Sequence, residues 1–489
     1  MLFNSQVFVL GFLPVCLAGF FAFGRLGEAW ALRWLLAASL VFYGWWNAPL
    51  VGLLAGSIAV NYALGSLILR HADRAAARRW TALGVALNLA LLGWFKYADF
   101  LVQSFAGALG LETPLLRIGL PLAISFFTFQ QIMFLVDSFT RSRPPVGALP
   151  YAAFVSFFPH LIAGPLVRPR EIIPQLLNPA LARPDAENLT VGLTVFLLGL
   201  GKKLVLADTF APFADRGFAA AAQGTPLTFF EAWCAALAYA LQIYFDFSGY
   251  SDMAIGLARM MNIRFPQNFD SPYKSRNISE FWHRWHITLS HFLRDYVYIP
   301  LGGNRCGQVR RGVNLMATML LGGLWHGAAW NFVLWGGLHG GFLIAHQQFR
   351  RLAPRGMPAL AGQALTLLAV VAAWVPFRAD GTDASLAMLR GMAGLNGAAL
   401  PQMIVNLFPP LGIFATPVPV LLALGDGRTL SFPEVTACLA LGWLIVLAAP
   451  NVAALTERQR LGALVGGFAL TAQALFFAPS AAPFLYFRF

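Results

Sequence analysis

Apolar runs of a length suited to crossing a bilayer recur from end to end of this chain, and they leave few folds open. Val7 to Phe23, Leu32 to Trp46, Leu50 to Leu69, Ala82 to Phe95, Ile118 to Val136, Leu189 to Leu206 and Phe229 to Tyr244 are the clearest. A hydrocarbon core of about 30 Å is spanned by about 20 apolar residues in a helix. Lipid offers no partner to backbone N–H and C=O groups, so each run must satisfy them internally, as a helix does. Charged residues make up only 11% of the 489, against roughly 25% in soluble domains, too few to cover a water-exposed surface. The expectation is an all-α integral membrane protein with about ten to twelve transmembrane helices, joined by re-entrant and interfacial segments. No polar block is long enough for a separate soluble domain, so residues 1–489 read as one polytopic membrane domain.

The net charge of +13 fits nucleic acid, anionic membrane lipids or a phosphate-bearing donor equally well. Its distribution favours a topogenic role. Arg70, Arg74, Arg78 and Arg79 lie in a short loop between apolar runs, as retention on the cytoplasmic side requires. With Asn47 to Pro49 as an external turn, the N-terminus lies outside the cytosol. No Lys or Arg precedes Arg25, so the start lacks the basic region of a signal peptide and reads as a retained first helix. Cys16, Cys234, Cys306 and Cys438 are far apart, which indicates structural thiols and neither a zinc site nor a disulfide framework.

Two regions break the pattern. Phe157 to Arg168, FFPHLIAGPLVR, is apolar but interrupted by Pro159, Gly164 and Pro165, and fits a re-entrant loop buried in protein. Asn262 to Arg311 mixes cations with Trp282, Trp285 and Tyr296, as interfacial helices do. The long apolar run Leu315 to Phe349 follows, rich in glycines that let helices approach closely or leave room for a substrate tunnel. Residues 361–489 add three or four apolar segments with few ionisable groups. No internal repeat is evident, which disfavours an inverted-repeat transporter.

An ionisable side chain in lipid is costly, so each intramembrane histidine is a candidate for function. His326, within LLGGLWHGAAWNF, has only apolar and small neighbours in sequence, where a purely structural role would be met more cheaply by an apolar side chain. In EFWHRWHITLS, His283 and His286 fall three apart on one helical face and His291 follows; histidines beside Arg and Trp are ordinary on an interfacial helix. His339 and His346 either line the same cavity or bond between helices. Glu280 and His283 make a single E-x-x-H step, where a di-iron bundle needs two and further glutamates, so no metal is indicated. Ser248 lacks the glycine spacing of a nucleophile elbow. A thioester is already activated, so a positioned hydroxyl, a base and an oxyanion donor suffice without an acyl-enzyme.

Taken together, Trp325–Gly327 (WHG), Tyr244–Gly256 (YFDFSGYSDMAIG), Glu280–Arg305 and FFPHLIAGPLVR resemble the membrane-bound O-acyltransferase family, and within it the branch that acetylates alginate and other exopolysaccharides. The likeness runs from Met1 to about Phe349, with an acyltransferase core at about 80–349 and looser C-terminal helices at 361–489. It implies an all-helical fold around a membrane-crossing tunnel, a catalytic His326, and a second polar position at His286. It implies acetyl-CoA as a cytosolic donor with no bound cofactor, residence in the bacterial inner membrane, and a periplasmic SGNH-type partner acting with exopolysaccharide assembly machinery on a polymer such as alginate or cellulose. His283 departs from the Arg or Asn that relatives tend to carry before RWH. Arg168, Arg170, Lys274, Arg276 and Arg284, beside the two irregular regions, are the candidates for contact with the donor's phosphates. The competing readings are a polysaccharide or lipid transporter and a non-catalytic scaffold of a surface acetylation complex; nucleic acid is not an expected partner.

Overall fold

The computed structural model describes residues 1–111, 113–140, 145–398, 400–401, 415–416, 432–456, 462, 468 and 484–485. Their regular secondary structure is helical, apart from a parallel pair of two-residue strands, Leu400–Pro401 and Ala415–Thr416. Five helical stretches are long and apolar enough to cross a membrane: Val7–Gly24, Leu50–Arg70, Arg74–Ala108, Ala186–Ala222 and Ala359–Arg378. The chain is therefore a multi-pass, all-α membrane protein. Its contacts divide it into two compact units, Met1–Leu200 with Tyr250–Gln267 and Thr456–Pro483, and Gly201–Gly249 with Asn268–Leu455 and Phe484–Phe489.

The first unit begins with α1 (Val7–Gly24), α2 (Glu28–Gly44), α3 (Leu50–Arg70) and α4 (Arg74–Ala108). Asp73 starts α4 by accepting from Ala75 N–H (2.9 Å) and Ala76 N–H (3.1 Å), and those bonds hold its carboxyl below the usual carboxylate range. Inside the unit, Asn61 of α3 and Asn88 of α4 bond reciprocally at 2.6 and 3.3 Å, which satisfies two buried amides by each other. The span expected at Ile118 to Val136 starts later, as the 16-residue α5 (Ile124–Phe139), because Pro121 and a left-handed Ala123 (φ 65°) precede it. Next come α6 (Ala148–Ser156), a single turn at Phe158–Leu161, and α7 (Pro169–Leu176). Every residue from Phe157 to Arg168 is buried. Irregular backbone is thus enclosed by protein, as the broken sequence requires.

Two long helices follow, α8 (Ala186–Ala222), which enters the second unit at Gly201, and α9 (Phe229–Met260), which leaves it at Tyr250, and Asn268 re-enters that second unit. There α10 (Ile278–Arg284) and α11 (Ile287–Leu293) are short, and α12 (Gln308–His326), α13 (Trp330–Leu352), α14 (Ala359–Arg378), α15 (Gly381–Met392) and α16 (Phe432–Ala448) follow. The apolar segments expected within 361–489 are represented by α14 to α16; residues 402–414, 417–431, 457–461, 463–467, 469–483 and 486–489 lie outside the described residues.

The run Leu315 to Phe349 is two helices rather than one. Gly327 (φ −159°) and Ala329 (φ −155°) are extended, and α12 and α13 pack against each other as an antiparallel hairpin. Glycines set the spacing. A Cβ at Gly336 would lie 2.4 Å from the Met319 carbonyl oxygen, and one at Gly323 would lie 2.2 Å from that of Phe332. Gly336→Ala is accordingly expected to push the helices apart and cost about 1–3 kcal/mol, as overpacking does. Gly341→Ala, where a Cβ meets nothing within 4 Å, is the matched control. Thermal unfolding of both variants in detergent reads the difference, and equal midpoints would refute the close-packing argument.

A candidate active site at the tip of a helix hairpin

His326 is the last residue of α12, at the hairpin tip, and is 7% exposed. The sequence enforces the tip, since a Cβ at Gly327 would lie 2.1 Å from the Phe332 ring. Three rings meet the imidazole edge to face: Trp325 at 4.9 Å, Trp335 at 5.1 Å and Phe377 at 5.0 Å between centroids. His326 also borders a small cavity of about 20 Å³, with Asp246, Phe247, Trp285, Trp374 and Phe377 among its walls. That volume admits about one water or hydroxyl group.

His286 does not share a helix face with His283, contrary to the sequence reading. α10 ends at Arg284, and His286 takes a left-handed conformation (φ 44°, ψ 53°) as the residue that starts α11. The break buries His286, at 1% exposure, and leaves His283 at the surface, bonded through Nδ1 to the Ser279 carbonyl at 2.6 Å. Non-glycine residues seldom adopt this conformation, and such strain concentrates at functional sites.

The protonation of His286 follows from its neighbours. Its Nδ1 lies 3.1 Å from Asn268 Oδ1, which also accepts from the Thr288 N–H (3.3 Å) and the Thr288 hydroxyl (2.8 Å). A backbone N–H only donates, so the Asn268 atom is the oxygen and Nδ1 carries the proton. In the neutral ring Nε2 is then a bare lone pair, and it has no hydrogen-bond partner among the described residues. Phe247 meets the His286 ring edge-on at 4.8 Å, and Trp325 lies 6.1 Å away. Trp325 therefore neighbours both histidines.

Sequence reasoning missed the acidic wall of the small cavity. Asp246 is 2% exposed and lies 2.9 Å from Lys203 Nζ, which reaches Asp208 at 2.7 Å. The Leu485 N–H donates to the other Asp246 oxygen at 3.0 Å. A lysine inside the apolar run Leu189 to Leu206 was the available signal, because a buried charge in such a run needs a partner. His339, fully buried, accepts from Trp282 Nε1 at 3.3 Å and packs 4.7 Å from Trp335, so it supports the His326 box from behind. His346, seven residues on, is half-buried and lines a different, larger cavity.

The five expected donor contacts are placed variously. In the first unit Arg168 is buried, 3.9 Å from Glu171, and Arg170 is exposed. In the second, Arg284 lies between Glu280 (3.0 Å) and Asp270 (3.5 Å), and Lys274 donates to the Ala449 carbonyl at 2.7 Å. Arg276 lines the larger cavity, of about 740 Å³. Among the described residues no group of three His, Cys, Asp or Glu is placed to hold a metal ion.

Comparison with known proteins covers these residues. Residues 127–375 match the profile of the membrane-bound O-acyltransferase family. The chain is 42% identical over 430 residues to the peptidoglycan O-acetyltransferase of Helicobacter pylori, covering 82% of this chain and 81% of that protein. It is 43% identical over 399 residues to a probable alginate O-acetylase of Pseudomonas aeruginosa, covering 80% and 75%. Similarity to the teichoic acid D-alanyltransferase of Bacillus subtilis is lower, 26% over 266 residues, covering 51% and 65%. The matched segment contains Lys203, Asp246, Asn268, His286, His326 and Trp374.

Proposed function

Because the chain belongs to the membrane-bound O-acyltransferase family, an enzyme family of multi-pass membrane proteins, we propose that it moves an acetyl group from cytosolic acetyl-CoA to a hydroxyl destined for an extracytoplasmic polysaccharide. The observation that carries the chemistry is the pair of buried histidines that both neighbour Trp325, His286 with its Nε2 buried and without a hydrogen-bond partner among the described residues. His326 is assigned as the base: it takes the acceptor hydroxyl proton as that oxygen attacks the thioester carbonyl. The tetrahedral intermediate collapses by breaking the C–S bond, and the departing thiolate takes the proton back. His286, whose Nδ1–H donates to Asn268 Oδ1, offers Nε2 as an acceptor that orients a hydroxyl in the site. The buried Trp335 Nε1–H has no acceptor among the described residues and is the donor assigned to the developing oxyanion.

For the donor's phosphates, Arg276 is the strongest of the candidates in its unit, since Lys274 and Arg284 already have partners. For Arg168 and Arg170, in the first unit, the same role rests on the sequence alone. The placement assigned is the bacterial inner membrane, and the acceptor polymer is an exopolysaccharide such as alginate or cellulose, reached through an SGNH-type periplasmic partner. Relatives that act on alginate and on peptidoglycan are similar to nearly the same degree, so polymer choice is the part to be measured. The test is transfer of label from acetyl-CoA to an added hydroxyl acceptor, with matching release of the free coenzyme A thiol, by the purified chain. Turnover above a protein-free control supports the reading, and its absence in a folded sample moves the transporter or scaffold reading ahead.

A further inference from the structure

Along α13 and α14, the cavity of about 740 Å³ shares no lining residue with the one at His326. Arg276, Arg350 and Arg355 stand on its lining, and Phe342 and Leu365 give it an apolar wall. A neighbouring cavity of about 430 Å³ shares Ser279, His346 and Arg350 with it and adds Arg311 and Arg351. Among the described residues no carboxylate lines either cavity, and Arg276, Arg311, Arg350 and Arg355 make no ion pair. The Nε atom of Arg311 is buried without a hydrogen-bond partner among the described residues.

Arg276, Arg350, Arg351 and Arg355 are exposed and Arg311 is half-buried, and guanidinium groups gathered around one open hollow repel one another until an anion seats among them. The loop between the helices holds them there. Gly356 has a positive φ of 73°, and a Cβ on it would lie 3.2 Å from Arg350 Nη1, so the turn tucks beneath that side chain. At the same end Leu352 is 87% and Leu360 81% exposed. Arginines interleaved with exposed leucines mark the level where headgroups meet hydrocarbon. The guanidinium fork matches phosphate oxygens in pairs, and the apolar wall asks for a stem of the same character.

We propose that these two cavities bind the phosphate ester of an amphiphile, with the phosphate on Arg350, Arg355 and Arg276 and its stem along Phe342 and Leu365. Two sources supply that chemistry, an anionic phospholipid and the coenzyme of a thioester donor. Only the second rests on the acyl-transfer reading. The test uses the purified full chain in detergent, with phosphatidylglycerol against diacylglycerol in one arm, counted by native mass spectrometry, and coenzyme A against pantetheine in the other, by equilibrium dialysis. In R350Q/R355Q the phosphate-bearing probe of at least one arm is expected to bind about tenfold more weakly, the loss that follows from removing charge-assisted bonds. Its phosphate-free counterpart is expected to be unaffected, and R350K/R355K to recover part of the loss. Loss in the lipid arm identifies a lipid site, and loss in the coenzyme arm a donor site. If neither phosphate probe binds the wild-type chain above its counterpart, or both bind the Gln variant undiminished, the proposal is overturned. Should the double variant fail to elute as wild type does, R355Q alone, on the exposed loop, serves the same comparison.

Discussion

Replacing His326 with Gln or Ala is expected to abolish acyl transfer while the protein still reaches the membrane. Loss of a general base alone costs about 10² to 10⁴ in rate, and His326, boxed by Trp325, Trp335 and Phe377, is the imidazole among the described residues that lines the small cavity. Those edge-to-face contacts are worth roughly 0.5–1.5 kcal/mol each, so Ala also removes packing, whereas Gln keeps more of the volume and isolates the chemistry. His286 needs a different substitution. Its backbone is left-handed, which Asn tolerates far better than Ala, so His286→Asn removes the imidazole with the turn intact and His286→Ala adds strain. If both histidines serve one step, the double variant should be little worse than His326→Gln alone. Labelled acetyl transfer in detergent, with polymer acetylation in cells normalised to protein level, provides the measurement. Near-normal activity of the His326 variants would sink the assignment.

How far the sequence disclosed this site depended on whether the information was local. Apolar runs such as Leu50 to Leu69 encode a spanning helix outright, because bilayer thickness and backbone hydrogen bonding leave no alternative, and the structure has a helix at Leu50–Arg70. The hairpin was less legible. Leu315 to Phe349 is continuously apolar, and nothing in hydropathy separates one long helix from two packed through Gly323 and Gly336; the break needed the ring of Phe332 pressed against Gly327. His286 was found by motif, but its surroundings were not, since the helical spacing that would pair it with His283 fails where Trp285 leaves the helix. Least legible was Asp246. Its partner Lys203 lies on another helix, and pairing between distant residues has no periodicity to read.

That buried pair yields the other large effect expected. Lys203→Met is expected to destabilise the second unit by about 3–5 kcal/mol, the usual cost of stranding a buried charge by removing its partner. Both side chains are only 3% exposed, so solvent screening does little to soften the loss, and Asp208 would be left facing Asp246 without the ammonium between them. The reverse change, Asp246→Asn, leaves Lys203 with Asp208 and should cost less. Combining K203M with D246N leaves one partly exposed carboxylate, Asp208, in place of two facing each other, and should recover part of the stability. Activity need not return with it, because Asp246 is also a wall of the His326 cavity and takes the Leu485 N–H. Unfolding midpoints and acyl transfer measured on the same three variants separate the two roles: stability restored with activity still lost would make Asp246 a positioning residue for the reaction, and both restored together would make the pair purely structural. A Lys203→Met protein as stable as wild type would show that no buried charge is stranded there.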